Sequence, residues 1–238
     1  MRTLSSLDAY VATTDGGGVQ LHQFATGTVR ADPAGAGAVE LAVSTDYPWD
    51  GTVRVEVREP GDGEWELALR VPGWAEGATA TVAGERVEAA SGRYLRVRRA
   101  WSAGDVAELV LPMGVRVLEA DPRVDAVRGA VAIERGPLVY CVEQPDLPAD
   151  LVADDVRVRV AELRGARAEH RPDLLGGVSV LHLPVHRALG AAAAPLYRPA
   201  GDEPAEQAEA GTVQVEAVPY YAWANRGVGP MRVWLPRA

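Results

Sequence analysis

The sequence predicts an all-β chain: two consecutive antiparallel β-sandwich, jelly-roll-like domains preceded by a short helix. Three observations predict it. Apolar and polar residues alternate along most of the chain, glycine- and proline-rich turns interrupt that alternation, and helical periodicity is convincing in one place only. A strand buries every second side chain on one face. Short strands with turns every 8–12 residues or so are the sequence form of a sandwich.

The elements follow in order. Leu4, Leu7 and Val11 recur at three- and four-residue spacing, a short helix ending before Asp15-Gly16-Gly17-Gly18. Val53, Val55 and Val57 then alternate with Arg54, Glu56 and Arg58, and Trp65, Leu67, Leu69 and Val71 with Glu66, Ala68 and Arg70. The pattern returns at Val156-Val158-Val160, Val178-Val180, Val213-Val215 and Met231-Val233-Leu235. Pro60-Gly61-Asp62-Gly63, Ala83-Gly84-Glu85, Ser91-Gly92 and Ala103-Gly104-Asp105 supply turns. Leu138-Val139-Tyr140-Cys141-Val142 is apolar without alternation, as in a central strand covered on both faces. Residues 188–211 are Ala-, Pro- and Glu-rich with little periodicity, a surface insertion. Prolines between 112 and 124 mark a domain seam, giving a first sandwich over 13–115 and a second over 116–238.

Composition excludes several functions. Hydrophobic residues make up 47% of 238, enough for packed cores. The 24 cationic residues are all Arg, dispersed among 33 acidic ones for a net charge of −9. No phosphate-tracking stripe results, so nucleic acid is not expected as a partner. No apolar run approaches the roughly 18 residues of a membrane span. The first residues lack a signal-peptide core, which points to the cytoplasm if Met1 is the genuine start.

Candidate chemical groups are few. Cys141 is the single cysteine; it stands mid-strand without a neighbouring base, as a buried thiol does. Glycoside cleavage ordinarily takes two carboxyl groups facing each other across a bond. Asp46 with Asp50, Asp121 with Asp125, and Glu143 with Asp146 all lie near turns, where such residues serve local hydrogen bonds. His182 and His186 bracket Pro184 on an expected strand, about 13 Å apart, and read as surface or edge histidines rather than metal ligands. Trp65 falls on a core phase, while Trp49, Trp74 and Trp101 stand beside turns, where an indole covers a strand end. Tyr220, Tyr221 and Trp223 form a dense group before Asn225-Arg226-Gly227. With Trp49 they are the candidate contact residues, for packing between domains or for a carbohydrate.

Several strings in order resemble one family. They are Tyr47-Pro48-Trp49-Asp50-Gly51, Leu67-Ala68-Leu69-Arg70-Val71-Pro72-Gly73-Trp74-Ala75, Gly92-Arg93-Tyr94, Arg99-Ala100-Trp101, Gly104-Asp105 and Leu111-Pro112-Met113. Arg135-Gly136-Pro137-Leu138-Val139-Tyr140-Cys141-Val142-Glu143 and Pro219-Tyr220-Tyr221-Ala222-Trp223-Ala224-Asn225-Arg226-Gly227 complete the set. Together they resemble the C-terminal half of glycoside hydrolase family 127, the β-L-arabinofuranosidases, from about Leu4 to Leu235. The resemblance implies an (α/α)₆ catalytic barrel followed by two β-sandwiches. It also implies a nucleophilic cysteine, at a zinc site of further cysteines and a glutamate, in a Cys-Cys-Pro-Pro-Asn string that this chain lacks. Residues 1–12 then correspond to the last barrel helix, and no catalytic, cofactor or metal-binding residue is expected here. Leu4, Leu7, Tyr10 and Val11 form a stripe too short to hold a helix alone; it should fray, fold back or pair. The leading expectation is a non-catalytic accessory region partnered with a barrel domain or chain, or with a second copy of itself. A carbohydrate-binding module for arabinose-containing glycans and a glycoside hydrolase in its own right are the alternatives.

Overall fold

The structure is a computed structural model that describes residues 4–188 and 211–238. The insertion expected over 188–211 therefore falls almost wholly outside the described residues. The chain divides into two compact units, Met1–Gly114 and Val115–Ala238.

In the first unit the strands are β1 (Ala12–Asp15), β2 (Gly18–Leu21), β3 (Gly27–Ala31), β4 (Val39–Thr45) and β5 (Thr52–Glu59). They continue with β6 (Glu64–Arg70), β7 (Thr79–Val82), β8 (Glu85–Glu88), β9 (Tyr94–Ala100) and β10 (Val106–Val110). They form a four-stranded sheet, β1-β2-β6-β9, and a six-stranded sheet, β3-β4-β5-β10-β7-β8. One continuous core lies between them. Val19, Leu21, Leu67 and Leu69 come from the first sheet and meet Leu41, Val53, Val55, Val57 and Leu109 of the second. The alternating residues are thus the buried ones, each contributing about 1.5–3 kcal/mol by leaving water. Trp65 is buried with its indole N–H donating to the Pro60 carbonyl at 2.8 Å. Trp101, directly after the end of β9, is 6% exposed, its ring centroid 5.3 Å from that of Trp65, and its N–H donates to the Trp65 carbonyl. The N–H needs an acceptor when buried, and the facing strand provides one.

Two features of this unit differ from the sequence reading. The N-terminal segment is a 3₁₀ helix over Leu4–Tyr10, and β1 already begins at Ala12, where helix was expected to persist. At 3₁₀ pitch residues three apart eclipse; Leu7 and Tyr10 share that ridge and are 44% and 57% exposed. Secondly, β2 runs parallel to β6, Gly18 opposite Glu66. The approach is so close that a Cβ on Gly18 would stand 2.1 Å from the Glu66 carbonyl oxygen. Asp15 holds the preceding turn by accepting from the Gly17 and Gly18 amides.

The second unit holds β11 (Val115–Glu119), β12 (Ala130–Arg135), β13 (Leu138–Glu143), β14 (Val156–Arg157) and the one-turn helix α1 (Val160–Leu163). After it come β15 (Arg167–Arg171), β16 (Val178–Arg187), β17 (Val213–Pro219), β18 (Met231–Arg232) and β19 (Leu235–Pro236). The alternation at 156–160 does not give one strand, because α1 takes over at Val160 and buries Leu163 instead. The sheet order is β11-β12-β13-β17-β16-β14, with β15 on β16, β18 on β13 and β19 on β12. Val158 next to β14 also bridges Arg237 next to β19, so hydrogen bonds join the two ends of the β12-to-β14 run. Core residues lie on both faces: Ile133, Tyr140, Val142, Leu181 and Leu183 on one, Cys141, Val178, Val180 and Val218 on the other. That double burial is why Leu138–Val142 lacks alternation.

Candidate functional site

Cys141 sits in the middle of β13, buried, and burial pushes its thiol up to about 12, with the charges of Glu143 and Asp146 adding to the effect. A nucleophilic thiol needs the opposite, a depressed pKa and access. Tyr140 beside it is likewise pushed up to about 12, chiefly by burial, and donates its hydroxyl hydrogen to the Ser179 carbonyl.

The carboxyl pairs have local tasks, with one exception. Asp50 accepts from the Thr52 amide, Asp121 pairs with Arg123, and Asp125 pairs with Arg128. Glu143 and Asp146 are the exception, for neither is a solvent-facing turn residue. Their side chains are 6% exposed each, and both grip Arg226, itself 18% exposed. Arg226 donates to both oxygens of Asp146 and to one of Glu143, all at 2.5 Å. The other Glu143 oxygen accepts from the Ala224 amide at 2.8 Å. Asp146 first and Glu143 second hold the guanidinium charged, above its usual range. The acids and the arginine are 80 and 83 residues apart, so no local pattern signals the cluster; the two acids stood in the sequence as one candidate pair near a turn, and Arg226 apart from them.

One of the two histidines also departs from expectation. His186 is buried, not at a surface or edge, and its Nε2 lies 2.8 Å from Glu162; His182 Nε2 lies 3.0 Å from Glu169. These hydrogen bonds hold both carboxyls below the usual range. A glycosidase acid must instead be held protonated by a raised pKa, so neither is poised for that work. A cleft of about 380 Å³ opens beside them, lined by Glu162, Arg167, His182 and Gln214 among others. Among the described residues, no three His, Cys, Asp or Glu side chains converge as metal ligands would.

The aromatic candidates lie in two places. Trp49 follows the cis Tyr47–Pro48 bond in the β4–β5 turn and is 44% exposed. Tyr220, Tyr221 and Trp223 follow β17 on a 3₁₀ turn and are 49%, 53% and 39% exposed. Tyr220 and Trp223 stack, centroids 6.0 Å apart at 19° between planes. Ala222 between them points into the core. The Asn225 amide donates to the Ala222 and Trp223 carbonyls, and Ala224 takes a left-handed φ of 62°. The Glu143–Asp146–Arg226 cluster therefore fixes the base of the segment that presents these rings.

Family comparison extends over both units. Residues 18–113 match the model of the beta-L-arabinofuranosidase GH127 middle domain, and residues 115–236 that of the glycoside hydrolase family 127 C-terminal domain. The chain belongs to glycoside hydrolase family 127. It is 39% identical over 251 residues to the non-reducing end beta-L-arabinofuranosidase of Bifidobacterium longum subsp. longum, an alignment spanning 99% of this chain and 36% of that protein. A solved glycoside hydrolase superposes with a TM-score of 0.88 at 32% identity, all of this chain on 38% of that one. A GH127 beta-L-arabinofuranosidase from Geobacillus stearothermophilus T6 superposes at 0.83 with 35% identity, on 36% of its chain. This chain thus spans little more than a third of these relatives. The zinc site that the family resemblance implies is not matched by the residues here: one thiol, buried within β13, cannot supply several cysteine ligands.

Proposed function

We propose that this chain is a non-catalytic accessory region of a family 127 glycoside hydrolase, supporting or oligomerising a catalytic barrel that lies outside these 238 residues. The observation that carries the reading is the pairing of a middle-domain and a C-terminal-domain match over almost the whole chain with little more than a third of each relative's length. The side chains agree with it. The lone thiol is buried, and the best-placed carboxylates are held in ion pairs or histidine bonds rather than opposed across a cleft. No zinc is bound by this chain in that reading.

An aryl β-L-arabinofuranoside assay tests it. The purified chain should give no turnover and carry no stoichiometric zinc by elemental analysis. Grafted in place of the matching region of the Bifidobacterium longum relative, it should restore a folded, active enzyme. Turnover by the chain alone that disappears in Cys141→Ser would overturn the proposal.

A further inference from the structure

The segment Pro219–Gly227 combines two properties that a purely structural loop does not need together. It is fixed from beneath by the buried Ala222, the Asn225 amide and the ion cluster of Glu143, Asp146 and Arg226. Burying three charged groups is costly in water-free surroundings, and its best-attested return is a single defined conformation rather than stability. Yet what the segment displays outward is largely aromatic, beside the exposed Asn225. Tyr220, Tyr221, Trp223 and Val228, four of the large hydrophobic residues exposed in this chain, fall within nine positions. Contiguous exposed apolar surface on a rigid frame marks a site of association, and aromatic residues are enriched at interface centres.

The occupant follows from what accompanies this fold elsewhere. In the solved relatives the whole of this chain superposes on 38% and 36% of theirs, so more than half of each polypeptide is a further body attached to the same two domains. Tyr220 and Trp223 are stacked on one another, and with Tyr221 they present three exposed aromatic side chains together, the residue class enriched at the centres of protein interfaces. We infer that the Tyr220–Tyr221–Trp223 face, held in shape by Arg226, is the surface on which the remaining, catalytic part of a family 127 enzyme docks. The inference rests on the accessory reading above and names its contact.

The graft into the Bifidobacterium longum relative provides the test. Amide exchange over residues 220–227 should slow at least tenfold in the graft relative to the 238-residue chain alone. Tyr220→Ser with Trp223→Ser should abolish that slowing and lower the graft's melting temperature. Val124→Ser with Val152→Ser, exposed elsewhere in the same unit, should do neither. A folded, active graft whose 220–227 amides exchange as in the isolated chain overturns the docking face while leaving the accessory reading intact. In the isolated chain the same double substitution should lower the unfolding midpoint only slightly, by the loss of one ring stack. A fall there as large as that in the graft would mean the rings stabilise their own unit, and would overturn the inference even if the graft does not fold. Titration of the isolated chain with an arabinose-containing oligosaccharide should show no binding; binding abolished by Trp223→Ala would overturn it in favour of a sugar site.

Discussion

Replacing Arg226 with Met removes the one cation between two carboxylates whose side chains are 6% exposed. Breaking a buried ion pair by deleting one partner costs about 3–5 kcal/mol, because the remaining charge is left uncompensated. The arginine is itself 18% exposed, so water reaches part of the cluster, and the lower end, about 3 kcal/mol, is expected here. For a unit the size of Val115–Ala238, that corresponds to a fall of about 10–15 °C in its melting transition. Scanning calorimetry at pH 7 measures it, with urea unfolding as a check on the free energy. The triple variant Glu143→Gln, Asp146→Asn, Arg226→Met removes all three charges and should recover at least half of the loss. Amides from Tyr220 to Gly227 should exchange faster in the single variant than in wild type. A loss below about 1 kcal/mol, or a triple variant no more stable than the single one, would show that the cluster is not the strut described and that its charges are solvated.

Other consequences can be checked with simple measurements. Cys141 should resist a thiol reagent at pH 8 in the native protein and react fully in denaturant, since its thiol is buried and held near 12; rapid native labelling would contradict its placement. Gly18→Ala should destabilise the first unit by about 2 kcal/mol, because the new methyl overpacks against the Glu66 backbone; an unchanged urea midpoint would mean the β2–β6 ladder is looser than described. Glu162 and Glu169 have folded pKa values below their usual 4.5, so their contribution is present above that pH and lost as pH falls through the depressed values. The urea midpoint should therefore decline below about pH 4.5, less steeply in Glu162→Gln, and identical acid profiles for the two proteins would refute the His186–Glu162 account.

Local alternation of apolar and polar residues settled the class of the fold and most of its core. Val53, Val55, Val57, Trp65, Leu67 and Leu69 are buried because alternation is local: a strand fixes which face a residue occupies once its neighbours' polarity is set. The unbroken apolar run around Tyr140 and Cys141 was legible for the same reason, both faces being covered. Local pattern could not say which strands would meet. The parallel pairing of β2 with β6 depends on a contact some 48 residues away in sequence, between Gly18 and Glu66. Nor could it separate α-helix from 3₁₀ at Leu4–Tyr10, where the spacing of three fits both. The candidate surface divides along the same line. The aromatic residues at 220–223 were visible as composition, but their exposure and stacking, and the arginine clamp that fixes them, belong to the tertiary structure. Electrostatic partners are chosen by distance in space, and the fold alone brings Glu143 and Asp146 to Arg226.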